Sequence, residues 1–376
     1  MKNQEKILNK PRRCANIELL RIVSMMLIIA SHLCNHYMEM DGSLWPFPSG
    51  FLFLQSIKSI TYIAVNMYVL ISAYFLCEST FKSKRIIMIW LEVLFYSLII
   101  GIPHIINGGV DFSRKITVFL PILMSEYWFA TVFIGLLLVS PFINISIRSM
   151  NQETLLINCF VLLSLTSIVP TFIGPFSRWV AYGGSCGLLW FITLYYCASY
   201  VRLYVKEDFL LSNKKKLLFC GGGMILFAAI ARFVIAFATA HLLGHAIGAG
   251  FFYGNNVIFN VVGTICIFLY FLVLKIKNNV FSIVINSLAK SSFAVYLIHE
   301  NPFIRTYLEQ CIPNHYDFSS IWFPLQFICI MISIWTICTV LDYCRRFLFL
   351  PLAKKTMFYK FDNCVNDIMF GRSLNI

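Results

Sequence analysis

From Asn16 to His36 the chain reads NIELLRIVSMMLIIASHLCNH, an apolar run whose ionisable members are one glutamate, one arginine and two histidines. It has the length of about 20 residues that a helix needs to cross a bilayer core. A water-facing helix would carry a polar face along its whole length. Here the ionisable groups are few and placed. Glu18 and Arg21 are three residues apart and share one helix surface. From Arg21 to His32 is about three turns, so the two side chains return to nearly the same face, some ~16 Å apart along the axis.

Runs of this kind recur along the chain. Hydrophobic residues make up 59% of the 376, charged residues 12%, and mean hydropathy is +0.77. A soluble globular chain carries roughly 25% charged residues, so no water-facing surface can be built from this composition. Ten spans are expected: Asn16–His36, Phe51–Cys77, Ile86–Ile106, Tyr127–Ile147, Thr154–Ile173, Cys186–Val205, Leu217–Ala238, Asn256–Leu274, Phe281–His299 and Ile321–Tyr343. Helices satisfy their own backbone groups in lipid, and the period-two alternation of a membrane barrel is missing from the sequence. The expected fold is thus an all-α integral membrane protein of about ten transmembrane helices. It divides into a transmembrane domain over residues 1–345 and a basic, aromatic tail over 346–376, suited to the membrane interface.

Charge orients the bundle. With the N-terminus inside, 22 of the 30 Lys/Arg fall in cytoplasmic segments and four (Arg114, Lys115, Arg178, Arg305) in external loops. The positive-inside rule then places both termini in the cytoplasm. The net charge of +13 faces anionic lipid and calls for no nucleic acid. The basic start leads straight into a long span with no small-residue cleavage site, so a retained first helix is expected. The thirteen cysteines contain no C-x-x-C, which argues against a cysteine zinc or redox site.

Ionisable residues at membrane depth are costly and mark function. Position alone leaves Arg21 divided between a site and a side chain snorkelling to headgroups. His32 sits about a turn inside the far end, and His36 follows four residues later. Two histidines without a third ligand make no metal site, and none is expected. His299 ends the ninth span. Glu92 and Arg232 lie deep enough to need partners, while His241 and His245 suit a solvated loop. Trp128, Trp179 and Trp190 fit an interfacial aromatic belt. The seventh span contains Gly221-Gly222-Gly223, a local weakness.

Four stretches, in order, resemble the membrane acyltransferase-3 family. They are Ile17-Glu18-Leu19-Leu20-Arg21 with His32, Asn66 to Phe75 with its Ser72-Ala73-Tyr74, Tyr127-Trp128-Phe129 leading to Pro141, and Ser291 to His299 with its Tyr296-Leu297-Ile298-His299. The resemblance implies an O-acyltransferase moving an acyl group, commonly acetyl from acetyl-CoA, to a hydroxyl of a surface glycan or its lipid-linked precursor. It implies His32 and Arg21 as the essential pair, with Glu18 beside them. Lys82, Lys84 and Arg85 stand with Arg21 as the acyl-CoA-binding set. They replace the Arg-x-x-Arg that family members often carry, because Met88 follows Arg85 at that interval. Ser72, Tyr74, Trp128, Tyr296 and His299 are acceptor-side or structural candidates. Ala73 stands where the family usually has glycine. Acyl-CoA is expected as co-substrate with no permanent cofactor, in a bacterial plasma membrane, and a homo-oligomer is compatible. A neutral His32 would act as base. The competing class is a secondary transporter or flippase, for which the sequence lacks Gly/Pro interruptions in matching halves.

Overall fold

The structure, a computed structural model, describes residues 14–38, 49–173, 184–244, 254–277, 279–312 and 317–349. Its helices are α1 (Ala15–His32), α2 (Ser49–Thr61), α3 (Ala64–Leu76), α4 (Ser83–Ile106), α5 (Phe112–Phe119), α6 (Trp128–Arg148), α7 (Gln152–Leu163) and α8 (Val169–Phe172). They continue with α9 (Leu188–Tyr204), α10 (Glu207–Ser212), α11 (Lys214–Leu243), α12 (Ile258–Leu272), α13 (Asn279–Leu288), α14 (Ser292–His299), α15 (Pro302–Cys311) and α16 (Phe323–Phe349). Among the described residues there is no strand.

All ten expected spans are helical. Eight are long and apolar enough to cross a membrane; the sixth and eighth, α9 and α12, have 17 and 15 residues. The first span ends in a π turn at Leu33–Tyr37 and the fifth passes through one at Ser164–Ile168, between α7 and α8; two others are interrupted without glycine or proline. The second breaks at Tyr62–Ile63 between α2 and α3, and the ninth passes through a 3-10 turn at Ala289–Ser291 between α13 and α14. That turn carries Lys290, a charge inside the expected ninth span. The glycine triplet does not weaken its helix, because α11 runs unbroken through it. A Cβ on Gly221 would meet Ile267 at 2.9 Å, so the small residue admits α12 to close range.

α1 is the hub. It packs against α2, α3, α12, α13, α14 and α16. Leu20 and Leu33 are fully buried, and Glu18 is 6% exposed. A stripe enclosed by six helices faces protein and not lipid. Two polar links tie the neighbours together. Trp190 Nε1 donates to Asn66 Oδ1 at 3.0 Å while Asn66 Nδ2 donates to the Asn255 carbonyl at 2.5 Å. Tyr195 donates to Asn144 Oδ1 at 2.9 Å. Trp190 is fully buried, so its expected place in an aromatic belt is corrected: its indole N–H has a partner in the core.

The end of α16 also differs from expectation. Arg345 and Arg346 continue this helix, which runs to Phe349 and so crosses the expected start of the tail at residue 346. Asp342, 0% exposed, draws both arginines inward at 2.7 and 2.9 Å, and Arg345 reaches Glu92 at 2.7 Å. Glu92 thereby has the partner its depth required. Arg232 is buried, donates to the Ala228 carbonyl and lies over the Tyr62 ring. Residues 350–376, Arg178, Trp179 and His245 lie outside the described residues.

Candidate active site

Two cavities flank the middle of α1. The first, about 350 Å³, is lined by His32, His36, Asn35, Trp128, Asn255 and Tyr296 among others. The second, about 510 Å³, is lined by Arg21, Arg85, Lys290, Glu92 and Ser72 among others. Tyr68, Phe129 and Phe293 line both, so three aromatic rings stand between the two spaces. The stripe seen in the sequence thus puts its cation in one cavity and its imidazole in the other.

Arg21 is paired inside the bundle. Its Nη1 pairs with Glu18 Oε2 at 2.5 Å, one turn back on the same helix, and the carboxylate holds the guanidinium toward the cavity. Arg85 donates to Ser79 Oγ at 2.9 Å and joins Arg21 from the start of α4. Lys82 lines a small crevice beside Arg85. Lys84 is exposed and lines neither cavity. Lys290, which sequence reasoning left out of the anion-binding set, lines the Arg21 cavity instead.

The His32 end holds more than the sequence suggested. The helix closes with a π turn at Leu33–Tyr37, a feature frequent at functional sites, and His36 comes to 5.5 Å from His32 between ring centroids. His299 Nδ1 lies 2.6 Å from the Val295 carbonyl, and its Nε2 lies 2.9 Å from His32 Nδ1. A carbonyl can only accept, so His299 carries its proton on Nδ1 and, when neutral, offers a lone pair at Nε2. The proton between the rings therefore belongs to His32 Nδ1. This leaves the lone pair of His32 on Nε2, which has no hydrogen bond among the described residues. The Val295 carbonyl, acting through the His299 ring, thus sets the tautomer of the base.

Glu300 completes the group and is the residue sequence reasoning missed. Its Oε2 lies 2.9 Å from His32 Nδ1, off the direction of a hydrogen bond, so it acts by charge. Oε1 faces Arg305 at 3.3 Å and His36 at 3.8 Å. Burial favours the neutral carboxyl, but contact with His32, followed by the fields of His299 and His36, outweighs it and holds Glu300 at about 2. The neighbouring Asn301 fixes the loop by donating to the Tyr127 hydroxyl at 2.9 Å. The signal lay in the adjacency of His299, Glu300 and Asn301 at the end of the ninth span.

A family model described as an acyltransferase domain, the acyltransferase family 3 domain, matches residues 15–343. The chain belongs to the acyltransferase 3 family. It is accordingly a multi-pass membrane acyltransferase. Neither the curated proteins nor the solved structures include a match.

The remaining candidates of this acyltransferase separate by place. Trp128 and Tyr296 line the His32 cavity, and His299 sits behind His32. Ser72 lines the Arg21 cavity, its hydroxyl bonded to the Tyr68 carbonyl at 2.9 Å. Tyr74 lines neither cavity and meets Arg202, whose guanidinium lies 5.0 Å above its ring. Ser72 and Tyr74 are thus remote from the imidazole end, because α3 carries them toward the level of Arg21.

Proposed function

We propose that this acyltransferase moves an acetyl group from cytoplasmic acetyl-CoA to a hydroxyl of a surface polysaccharide or its lipid-linked precursor, in a bacterial plasma membrane. The observation that carries the reading is the pair of cavities that share Tyr68, Phe129 and Phe293 as lining, with cations in one and an oriented base in the other. The charge asymmetry of the sequence turns the Arg21 cavity to the cytoplasm. There Arg21, Arg85 and Lys290 suit the phosphates of a CoA ester. A pantetheine arm reaching past the rings would bring the thioester beside His32. The opposite cavity combines Trp128, Asn35 and Asn255, an aromatic face and amides of the kind that bind sugars.

In the reaction, the acceptor oxygen attacks the thioester carbon as His32 Nε2 takes its proton. The imidazolium so formed keeps its Nδ1 proton toward His299 and lies beside the Glu300 carboxylate, which stabilises the new charge. The carbon–sulfur bond breaks, and the imidazolium returns its proton to the leaving thiolate. The interrupted second and ninth spans are the one feature that favours a transporter, but the family match ranks that reading second.

The test is transfer of labelled acetyl from acetyl-CoA to candidate glycans by the purified protein. The wild type transfers label, and His32→Ala loses about 10²–10⁴-fold in rate while keeping its thermal unfolding profile. Solute transport without CoA release would support the transporter.

A further inference from the structure

In sequence, His32 and His36 lack a third ligand; the fold supplies one. Nitrogen atoms of His32 and His36 and a carboxylate oxygen of Glu300 lie within 4.8 Å of one another. The individual separations are 2.9 Å for His32 Nδ1 to Glu300 Oε2 and 3.8 Å for His36 Nε2 to Glu300 Oε1. Ligands on a tetrahedral zinc stand roughly 3.3 Å apart, given bonds of about 2.0–2.1 Å. The two histidine–carboxylate separations, each to a different oxygen of Glu300, lie on either side of that spacing, and the whole set closes within 4.8 Å.

A second observation points to a ligand. Glu300 is 9% exposed, and its Oε2 is buried with no directed hydrogen bond, while Arg305 engages only Oε1. With only the His32 ring beside it, this oxygen keeps lone pairs that a cation can take. Beside it, His299 turns its Nε2 lone pair toward the same nitrogen of His32 and anchors its own Nδ1 on a backbone carbonyl. Imidazole and carboxylate together suit a transition cation of the zinc class and not magnesium.

We propose that His32, His36 and Glu300 form a binding site for a zinc-class divalent cation at one end of the His32 cavity, and that the occupied enzyme is inactive in transfer. The inactivity follows from proton bookkeeping. A metal at His32 Nδ1 displaces the proton held there, and a neutral imidazole bound through Nδ1 carries its proton on Nε2. The lone pair that serves as base is then gone. This second half rests on the acyl-transfer reading; the binding itself does not.

The experiment uses the full chain in detergent, stripped with chelator, and zinc chloride as the probe. Calorimetry and thermal unfolding are expected to show zinc binding that raises the melting temperature, with magnesium giving no shift. His36→Ala is expected to lose at least about tenfold in zinc affinity while its unfolding in chelator stays cooperative, which shows that the fold is kept. Zinc is expected to stop transfer by the wild type, and chelator to restore it. Equal zinc affinity in the wild type and His36→Ala would place any bound metal elsewhere and overturn the site. Zinc bound at His36 without loss of transfer would overturn the inactivity. A protein that binds zinc this way yet transfers no acyl group under any condition would sink the acyl-transfer reading while leaving the metal site standing.

Discussion

His299 Nε2 faces His32 Nδ1 at 2.9 Å, and the other nitrogen of His299 is committed to the Val295 carbonyl. Two histidines 267 positions apart thus share one proton whose place is decided by a helix backbone. His299 is a positioning residue: it touches the base and orients it.

Replacing it separates orientation from chemistry. His299→Phe keeps a ring of similar bulk but removes the acceptor, so His32 is free to carry its proton on either nitrogen. A hydrogen bond to a group that becomes charged contributes about 1.5–3 kcal/mol. The expected loss in kcat is roughly 10–100-fold with KM for acyl-CoA unchanged. Steady-state kinetics with varied donor checks this, and His299→Gln, which restores an acceptor, should recover part of the rate. A matching rise in KM would mean that the substitution disturbs the donor side as well.

Glu300 sets a pH dependence of stability. The groups facing it are His32 and His36 from α1 and its π turn, His299 from α14, and Arg305 from α15. Its carboxyl sits near 2 in the folded protein, against 4.5 for the ordinary group. A depressed value stabilises the fold fully above about pH 4.5, and that contribution disappears as pH falls toward 2. In chelator, the melting temperature of the wild type should therefore fall more steeply below pH 4.5 than that of Glu300→Gln. Parallel curves would show that the carboxylate gains nothing from its histidines.

Lys84 and Arg85 are adjacent in sequence but differ in reach. Arg85 lines the Arg21 cavity, whereas Lys84 is exposed and lines neither space. Arg85→Ala should raise KM for acetyl-CoA about tenfold, the lower end for a charged hydrogen bond at a half-buried site. Lys84→Ala should leave KM within about twofold, since a distant exposed charge is screened by salt. Equal effects would mean that the two act through a diffuse surface field, which raising the ionic strength would abolish in both.

The class of the protein was legible because composition and run length are global properties that no local detail overrides. The Arg21–His32 stripe was legible because a straight helix preserves spacing. Glu300 was not, since its value depends on the end of α14 meeting the end of α1, a contact between residues 268 positions apart. Lys290 gives no sign of its place in the Arg21 cavity, because a 3-10 turn inside a span has no apolar signature. Trp190 read as interfacial because sequence shows an indole's depth only roughly, and its partner Asn66 lies 124 positions away. Local pattern revealed which residues were unusual; the packing of six helices on α1 decided which of them met.

The three rings common to both cavities make the last case. Tyr68 and Phe129 meet edge to face with centroids 6.1 Å apart, and Phe129 and Tyr296 likewise at 6.1 Å. Phe129 is 9% exposed, so a larger ring there has little room except toward the two cavities. Phe129→Trp should block the thioester from reaching His32 while leaving the cations of the Arg21 cavity in place. The expected result is acetyl-CoA binding within about threefold of the wild type, and transfer reduced at least about a hundredfold, since misplacing the reacting atoms by an ångström has that cost. Overpacking of this kind also destabilises by about 1–3 kcal/mol, so the retained binding serves as the check on folding. Binding measured by calorimetry and transfer measured on the same sample decide the matter. If transfer survives with Trp at 129, the acyl group does not pass between these rings and the two cavities serve separate ends.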